Sequence, residues 1–232
     1  MGGCIQYTKK ELLITGQDES NLVCHEASGG RFLHKNVLPH FISLKAEAKK
    51  AGFELAIASS YRNFHRQSII WNEKAKGIRA VMNDVGEEVN VDVLNKWELV
   101  QAILRWSALP SASRHHWGTD LDVYDKSQIS DGYELQLSHS ETEEGGVFSE
   151  FHYWLNEVIA SNRAHGFYRP YEKDCGGIGC EPWHLSYKPL ADQFSKLLTV
   201  DLVRSVIATS QLNLRETVLE NLDEIYKRFI CL

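Results

Sequence analysis

Three short stretches of this 232-residue chain carry side chains whose types and spacing suit joint chemistry. Thr119-Asp-Leu-Asp-Val-Tyr-Asp125 alternates like a strand, with Asp120, Asp122 and Tyr124 on one face and Leu121 and Val123 on the other. Two carboxylates stacked on a half-buried face are costly unless a cation or hydrogen-bond donors compensate them. Immediately upstream, Ser113-Arg-His-His-Trp-Gly118 brings two imidazoles, and Gly118 permits the sharp backbone change that returns a loop histidine toward the strand. A neutral imidazole plus a carboxylate is part of a zinc site, although spacing alone does not choose between His115 and His116, whose side chains diverge. Near the far end, Glu181-Pro-Trp-His184 supplies a third ligand in His184 and, in Glu181, a carboxylate placed to take a proton from water at the metal. Pro182 restrains Glu181 to extended geometry. Three protein ligands with one open position are what a catalytic zinc site requires. His25, His34, His40, His65, His139, His152 and His165 read as surface or satisfied core residues.

Positioning those residues takes a sheet and helices. Alternation predicts a strand over Phe53–Ser59, and Tyr133–Leu137 and His184–Tyr187 read as partners. Apolar spacing of three and four predicts a helix on Val37, Phe41, Leu44 and Ala48, capped by Asn36 and stopped by Gly52. Others fall on Val93, Trp97, Val100 and Leu104, and on Phe151, Leu155 and Val158 after a Ser149 cap. One begins at Phe194, Leu197 and Leu198. The last runs through Val218, Leu222, Ile225 and Phe229, with Glu224 and Arg228 paired on its wet side. Segment 79–92 reads as a loop or hairpin. Helices outnumber strands without alternating regularly with them, so the predicted class is α+β: a small antiparallel sheet flanked by helices, with the site in the cleft. We expect one domain over 1–232, with a core at about 30–200 and a helical extension at 201–232.

Composition narrows the function classes. With 43% hydrophobic and 24% charged residues and a net charge of −6, the chain reads as an ordinary globular protein. It has no basic surplus for binding nucleic acid. No run of about 18 apolar residues predicts a membrane segment. The N-terminal sequence lacks signal-peptide patterning, Cys4 lacks a lipoprotein signal and Gln6 breaks a myristoylation motif at Gly2, so the expected location is cytoplasmic, with periplasmic or extracellular placement requiring another export route. Five scattered cysteines do not make a disulfide scaffold. Cys175 and Cys180, bracketing Gly-Gly-Ile-Gly, read as reduced loop thiols in preference to a reversible bridge or a soft metal site. Nothing in the sequence specifies an oligomer.

Three segments together resemble the zinc D-alanyl-D-alanine carboxypeptidases and dipeptidases of peptidase family M15, the VanY and VanX enzymes. They are Ser59-Ser-Tyr-Arg-Asn-Phe-His-Arg-Gln67, Ser113-Arg-His-His-Trp-Gly-Thr-Asp-Leu-Asp122 and Glu181-Pro-Trp-His184, in the family's order. The resemblance implies zinc held by His115, Asp122 and His184, with Glu181 as general base and acid. It implies that Arg62 holds the substrate and polarises its scissile carbonyl, and that Ser113 and Gln67 line the substrate pocket. The implied activity is removal of the terminal D-Ala from a peptidoglycan stem peptide or its precursor. The alternatives are a D,D-dipeptidase, an L,D-endopeptidase, or a zinc-containing binding module like the hedgehog signalling domain. Intact Glu181 and Arg62 argue against the last. Asp120 stands where the family usually has alanine; its roles there are acceptor of a hydrogen bond from a ligand imidazole, contact to a substrate amine, or alternative ligand, and we expect the first. The 126–148 insertion is a candidate lid.

Overall fold

In the computed structural model, which describes residues 6–231, the chain opens with helix α1 (Lys9–Ile14) and a small hairpin of β1 (Leu22–Cys24) and β2 (Phe32–His34). Helix α2 (Leu38–Lys50), strand β3 (Leu55–Ser59) and helices α3 (Phe64–Ala75) and α4 (Lys96–Trp106) follow. Then come β4 (Asp120–Asp125), α5 (His139–Thr142), α6 (Ser149–Ala160), β5 (Phe167–Tyr168) and β6 (His184–Tyr187). The chain closes with α7 (Lys188–Leu197), α8 (Val200–Thr209), α9 (Arg215–Glu220), α10 (Leu222–Ile225) and a π-helical turn at Tyr226–Ile230. Gly2 and Cys4 lie outside the described residues. No helix among those described is long and apolar enough to cross a membrane.

The main sheet is antiparallel, in the order β3-β4-β6-β5. Its inner face carries Leu55, Ile57, Leu121, Val123 and Leu185, packed with Phe41 and Leu44 of α2 and Phe151, Leu155 and Val158 of α6. Each such side chain contributes about 1.5–3 kcal/mol when fully buried, enough to fix which face of β4 turns inward. Because side chains alternate, burial of Leu121 and Val123 forces Asp120 and Asp122 onto the opposite face. Register does the rest: Asp122 stands directly across from His184, Asp120 across from Ser186, and a shift between Ile57 and Ser59 leaves Ser59 opposite Asp122.

A second core is built around α4. Leu99, Val100, Ile103 and Leu104 pack with Trp71 of α3 and with Leu202, Val203, Val206, Ile207, Val218, Leu222, Ile225 and Phe229. The Trp71 indole N–H donates to the Asn213 carbonyl at 2.9 Å. Residues 202–230 therefore supply one side of a core that α4 alone would leave exposed.

Several sequence expectations are corrected. Tyr133–Leu137 is not a strand. The buried Glu141 carboxylate accepts from the Tyr133 hydroxyl and the Gln136 and Ser138 backbone N–H groups, folding the segment locally instead of leaving those donors for a ladder. Strands β1, β2 and β5 are unforeseen; at three, three and two residues they are too short to show a periodicity. Helix α2 is entered from Val37 with no side-chain cap, Pro39 sitting where a free N–H would be unsatisfied anyway, so Asn36 is not its cap. Likewise Ser149 begins α6 without capping it. Phe194 and Leu197 lie at the end of a helix that Pro189 helps to start. Val93 is exposed ahead of α4, which Asn95 caps. The final helix is broken at Asn221, although its apolar face is buried as expected and Glu224 pairs with Arg228 at 2.8 Å. Segment 79–92 does fold back on itself, with a bridge between Met82 and Glu88.

One pH effect follows from the packing of α6. Burial, aided by the Arg169 charge, pushes the His152 imidazole down to about 3 from its usual 6.5. Below pH 6.5 the unfolded chain therefore binds a proton that the folded chain refuses, and stability falls as pH drops toward 3. At pH 4.5 this amounts to about 2–3 kcal/mol from this group. Thermal unfolding should show a His152→Gln variant losing less stability than the wild type between pH 7 and 4.5. An identical slope for both would contradict the assignment.

Candidate active site

The turn Arg114–Trp117 and the 59–63 loop are laced together by three backbone-directed bonds. His115 Nδ1 lies 2.8 Å from the Ser60 carbonyl, the Arg62 N–H donates to the His115 carbonyl at 3.1 Å, and His116 Nδ1 lies 2.6 Å from the Arg62 carbonyl. Gly118 closes the turn at φ +67°, with its missing side chain making room for the His34 backbone nitrogen. A carbonyl only accepts, so Nδ1 of His115 carries the proton and Nε2 presents a lone pair. His116 is different: Nε2 accepts from the Ser111 N–H at 3.1 Å and Nδ1 donates, so neither nitrogen is free. That bonding separates the two histidines that spacing left equivalent.

On the sheet, His184 Nε2 lies 3.0 Å from Asp120 Oδ1. Burial raises the Asp120 carboxyl, but Arg114 and His184 overcome this and hold it below the usual carboxylate range. It is therefore an acceptor, and the His184 proton sits on Nε2. His184 Nδ1 is left buried, without a hydrogen bond, facing Asp122 Oδ1 at 3.2 Å. His115 Nε2 lies 3.4 Å from Asp122 Oδ2, and the donor atoms of His115, Asp122 and His184 all fall within 4.8 Å of one another. Ligand atoms about 2.0–2.1 Å from a tetrahedral zinc stand about 3.3 Å apart, so the spacing and the donor set fit that ion. Burial lowers the His184 imidazole, but Asp120, Asp122 and Glu181 overcome this and raise it well above its usual value, so a bound cation would take the place of the Nδ1 proton. Burial and the nearby Arg62 charge push His115 down to about 3, which keeps the imidazole neutral as a ligand must be. Asp122, although burial raises it, is brought down to about 2 by His115, His184 and Arg62.

Asp120 is the centre of a buried polar network. Arg114 Nε donates to its Oδ1 at 2.8 Å, while the Ser186 hydroxyl donates to Oδ2 at 3.1 Å. The hydroxyl of Thr119 donates to Oδ2 as well, at 2.5 Å. Arg114 also reaches Ser186 Oγ at 2.7 Å and the Tyr168 hydroxyl at 3.1 Å, and stacks on Trp117. The cation demanded by two carboxylates on one face is thus in place for Asp120, leaving Asp122 to face the open side.

That side is a small cavity of about 40 Å³ lined by Arg62, Ser113, His115, Glu181 and His184, with Trp106, Tyr171 and Ile178 among its walls. Glu181 Oε2 lies 3.2 Å from His184 Nδ1, beside the three candidate ligands. Arg62 Nη1 donates to Gln67 Oε1 at 3.1 Å, whereas its Nε and the Ser113 hydroxyl are buried without partners. The cavity therefore presents unused donors on one side and a carboxylate base on the other. Gln67, expected in the pocket, is fully buried behind Arg62 and does not line the cavity; its amide donates to the Ala108 carbonyl at 2.7 Å. The other six sequence-predicted residues converge on the cavity and its floor. Sequence reasoning missed Tyr171, whose ring meets His184 edge-on at 4.8 Å, along with Trp106 and Ile178. It also missed Arg169, which donates to the Pro182 carbonyl at 2.6 Å and so holds the Glu181–His184 stretch from α6's side. In the 126–148 insertion, His139 packs edge-on against Trp183 and Trp106. Cys175 and Cys180 are free thiols.

Comparison with known proteins places the chain in a family. A sequence model of VanY D-alanyl-D-alanine carboxypeptidase matches residues 30–190. An uncharacterized protein of Haemophilus influenzae is 42% identical over 99 residues, covering 42% of this chain and 68% of the relative. A second from the same organism is 33% identical over 125 residues, covering 53% and 92%. Among solved structures, VanYB in complex with D-alanine-D-alanine aligns with a TM-score of 0.51 at 21% identity, over 87% of this chain and 90% of that one. The LdcB LD-carboxypeptidase aligns with a TM-score of 0.50 at 21% identity, over 87% and 78%. With the fold shared and the family pattern spanning most of the chain, the protein belongs to the VanY family of D-alanyl-D-alanine carboxypeptidases.

Proposed function

We propose that this protein is a zinc-dependent D,D-carboxypeptidase that hydrolyses the terminal D-Ala amide of peptidoglycan stem peptides or their precursors. The observation that carries the reading is the convergence of His115 Nε2, Asp122 and the orphaned His184 Nδ1, with Glu181 at 3.2 Å and an unpaired Arg62 Nε in the same cavity. Zinc held by His115, Asp122 and His184 would supply Lewis acidity and a water acidified to near neutrality.

The chain's own residues do the rest. Glu181 accepts the proton of the attacking water and later delivers it to the departing amine, so that no charged amide nitrogen has to leave. Arg62 stays protonated despite burial, and its unpartnered Nε is a donor available to the oxygen on which negative charge develops. Gln67 fixes the guanidinium so that this donor costs no reorganisation. The Ser113 hydroxyl is available to a second substrate oxygen. A cavity of about 40 Å³ holds about three waters or a side chain of one or two carbons, which suits alanine.

The test is incubation of zinc-loaded protein with a defined stem pentapeptide ending in D-Ala-D-Ala, followed by mass spectrometry. The expected product has lost one alanine. Hydrolysis of free D-Ala-D-Ala to two D-alanines with the pentapeptide left uncut would favour the dipeptidase reading, and cleavage inside the stem the endopeptidase one. No cleavage of any of these would end the enzymatic one. An Arg62→Ala variant should lower kcat/KM by about 10²–10³-fold, the range for losing a donor to a developing oxyanion. Unchanged kinetics would remove Arg62 from the reaction.

A further inference from the structure

The C-terminal helices lie outside the matched residues, yet they touch the loop that walls the cavity. Residues 174–180 contain three glycines, the least restrained backbone the chain could use there, and lead directly into Glu181. Ile178 of this loop lines the small cavity. From the tail, Arg228 Nη2 donates to the Gly176 carbonyl at 2.9 Å. The Arg228 carbonyl presses so close to Gly177 that a Cβ there would meet it at 1.9 Å. From α4, Arg105 Nη1 donates to the Gly177 carbonyl at 2.8 Å, its guanidinium pairs with Asp174, and its own carbonyl accepts from the Gly179 N–H at 2.9 Å. Gly179 itself lies flat against the Trp106 indole, where a Cβ would come within 2.4 Å. The loop also borders an open surface groove of about 510 Å³, lined by Gly176, Gly177, Arg105 and Arg228.

We propose that Arg228, acting with Arg105, is a positioning residue that sets specificity: it clasps the 174–180 loop so that Ile178 keeps the catalytic cavity too small for side chains larger than that of alanine. A glycine-rich loop that borders an open groove of about 510 Å³ would otherwise be free to shift and widen the site. The proposal rests on the peptidase reading above for its substrate, and on the clasp alone for its structure.

Two readouts separate those parts. The first is kcat/KM for two stem peptides differing only in a terminal D-Ala or D-Leu. Wild type should prefer D-Ala by more than tenfold, and Arg228→Ala should erase about tenfold of that preference by gaining on D-Leu, with Arg228→Lys restoring part of it. The second is hydrogen exchange of peptide 174–181, which should accelerate at least tenfold in Arg228→Ala. Gly177→Ala should reproduce both effects through the other side of the clasp and serves if the arginine variants fold poorly. Unchanged exchange in the folded variants overturns the proposal whatever the enzyme cleaves. Faster exchange with an unaltered D-Ala to D-Leu ratio overturns the specificity role. A wild type that cleaves neither peptide while exchange still rises supports the clasp and overturns the peptidase reading.

Discussion

A Glu181→Gln variant should turn over a D-Ala-terminated stem peptide about 10²–10⁴-fold more slowly than wild type, with its zinc content and unfolding temperature unchanged. The substitution keeps the size of the side chain and removes the ability to accept a proton. The backbone at this position is held independently: the Glu181 N–H donates to the Tyr171 carbonyl and the His184 N–H to the Glu181 carbonyl, both at 3.0 Å. The three candidate ligands keep their positions on β4, β6 and the Arg114–Trp117 turn. The loss should therefore fall on kcat with KM little altered, the pattern of a group acting in the transition state. A variant that retains full turnover would show that some other group moves the proton.

The second large effect is expected at Asp120. Alanine there, the residue usual in the family, would remove the acceptor of the His184 Nε2 proton at 3.0 Å and leave the buried Arg114 guanidinium without its carboxylate at 2.8 Å. Breaking one partner of a buried ion pair costs about 3–5 kcal/mol, because the remaining charge stays desolvated. Losing the partner that orients a ligand imidazole weakens metal binding by about 10–100-fold. Asp120→Ala should show both losses, in denaturant unfolding and in zinc competition with a chelator. A double variant Asp120→Ala/Arg114→Met should recover most of the stability and none of the zinc affinity. If the single variant binds zinc as tightly as wild type, Asp120 serves only Arg114.

The candidate site was far more legible in the sequence than the walls around it. Asp120 and Asp122 share a face because a strand has period two, and that is visible from seven residues. His115, Asp122 and His184 each sit in a compact motif with its own spacing. Residue types alone left His115 and His116 equivalent and the family resemblance chose His115; the physical difference between them is where Ser60, Arg62 and Ser111 place their backbone groups. The need of Asp120 for a cation could be anticipated; that Arg114 meets it depends on the 3₁₀ turn between them. Tyr133–Leu137 alternates like a strand, but the Glu141 carboxylate captures its donors, a tertiary choice invisible in alternation. Trp106, Tyr171 and Ile178, which set the size of the cavity, come from three separate segments and have no common motif. The tail's apolar face was readable, whereas its partner, α4, was not.

His115, Asp122 and His184 are expected to hold one zinc ion with Glu181 beside it. Metal analysis of the purified wild type and of His115→Ala, Asp122→Asn, His184→Ala and Glu181→Gln, after zinc loading and removal of free metal, tests this claim most directly. The expected result is one zinc per chain in the wild type and in Glu181→Gln, and its loss in each of the other three. Full occupancy in any of those three variants would contradict the claim.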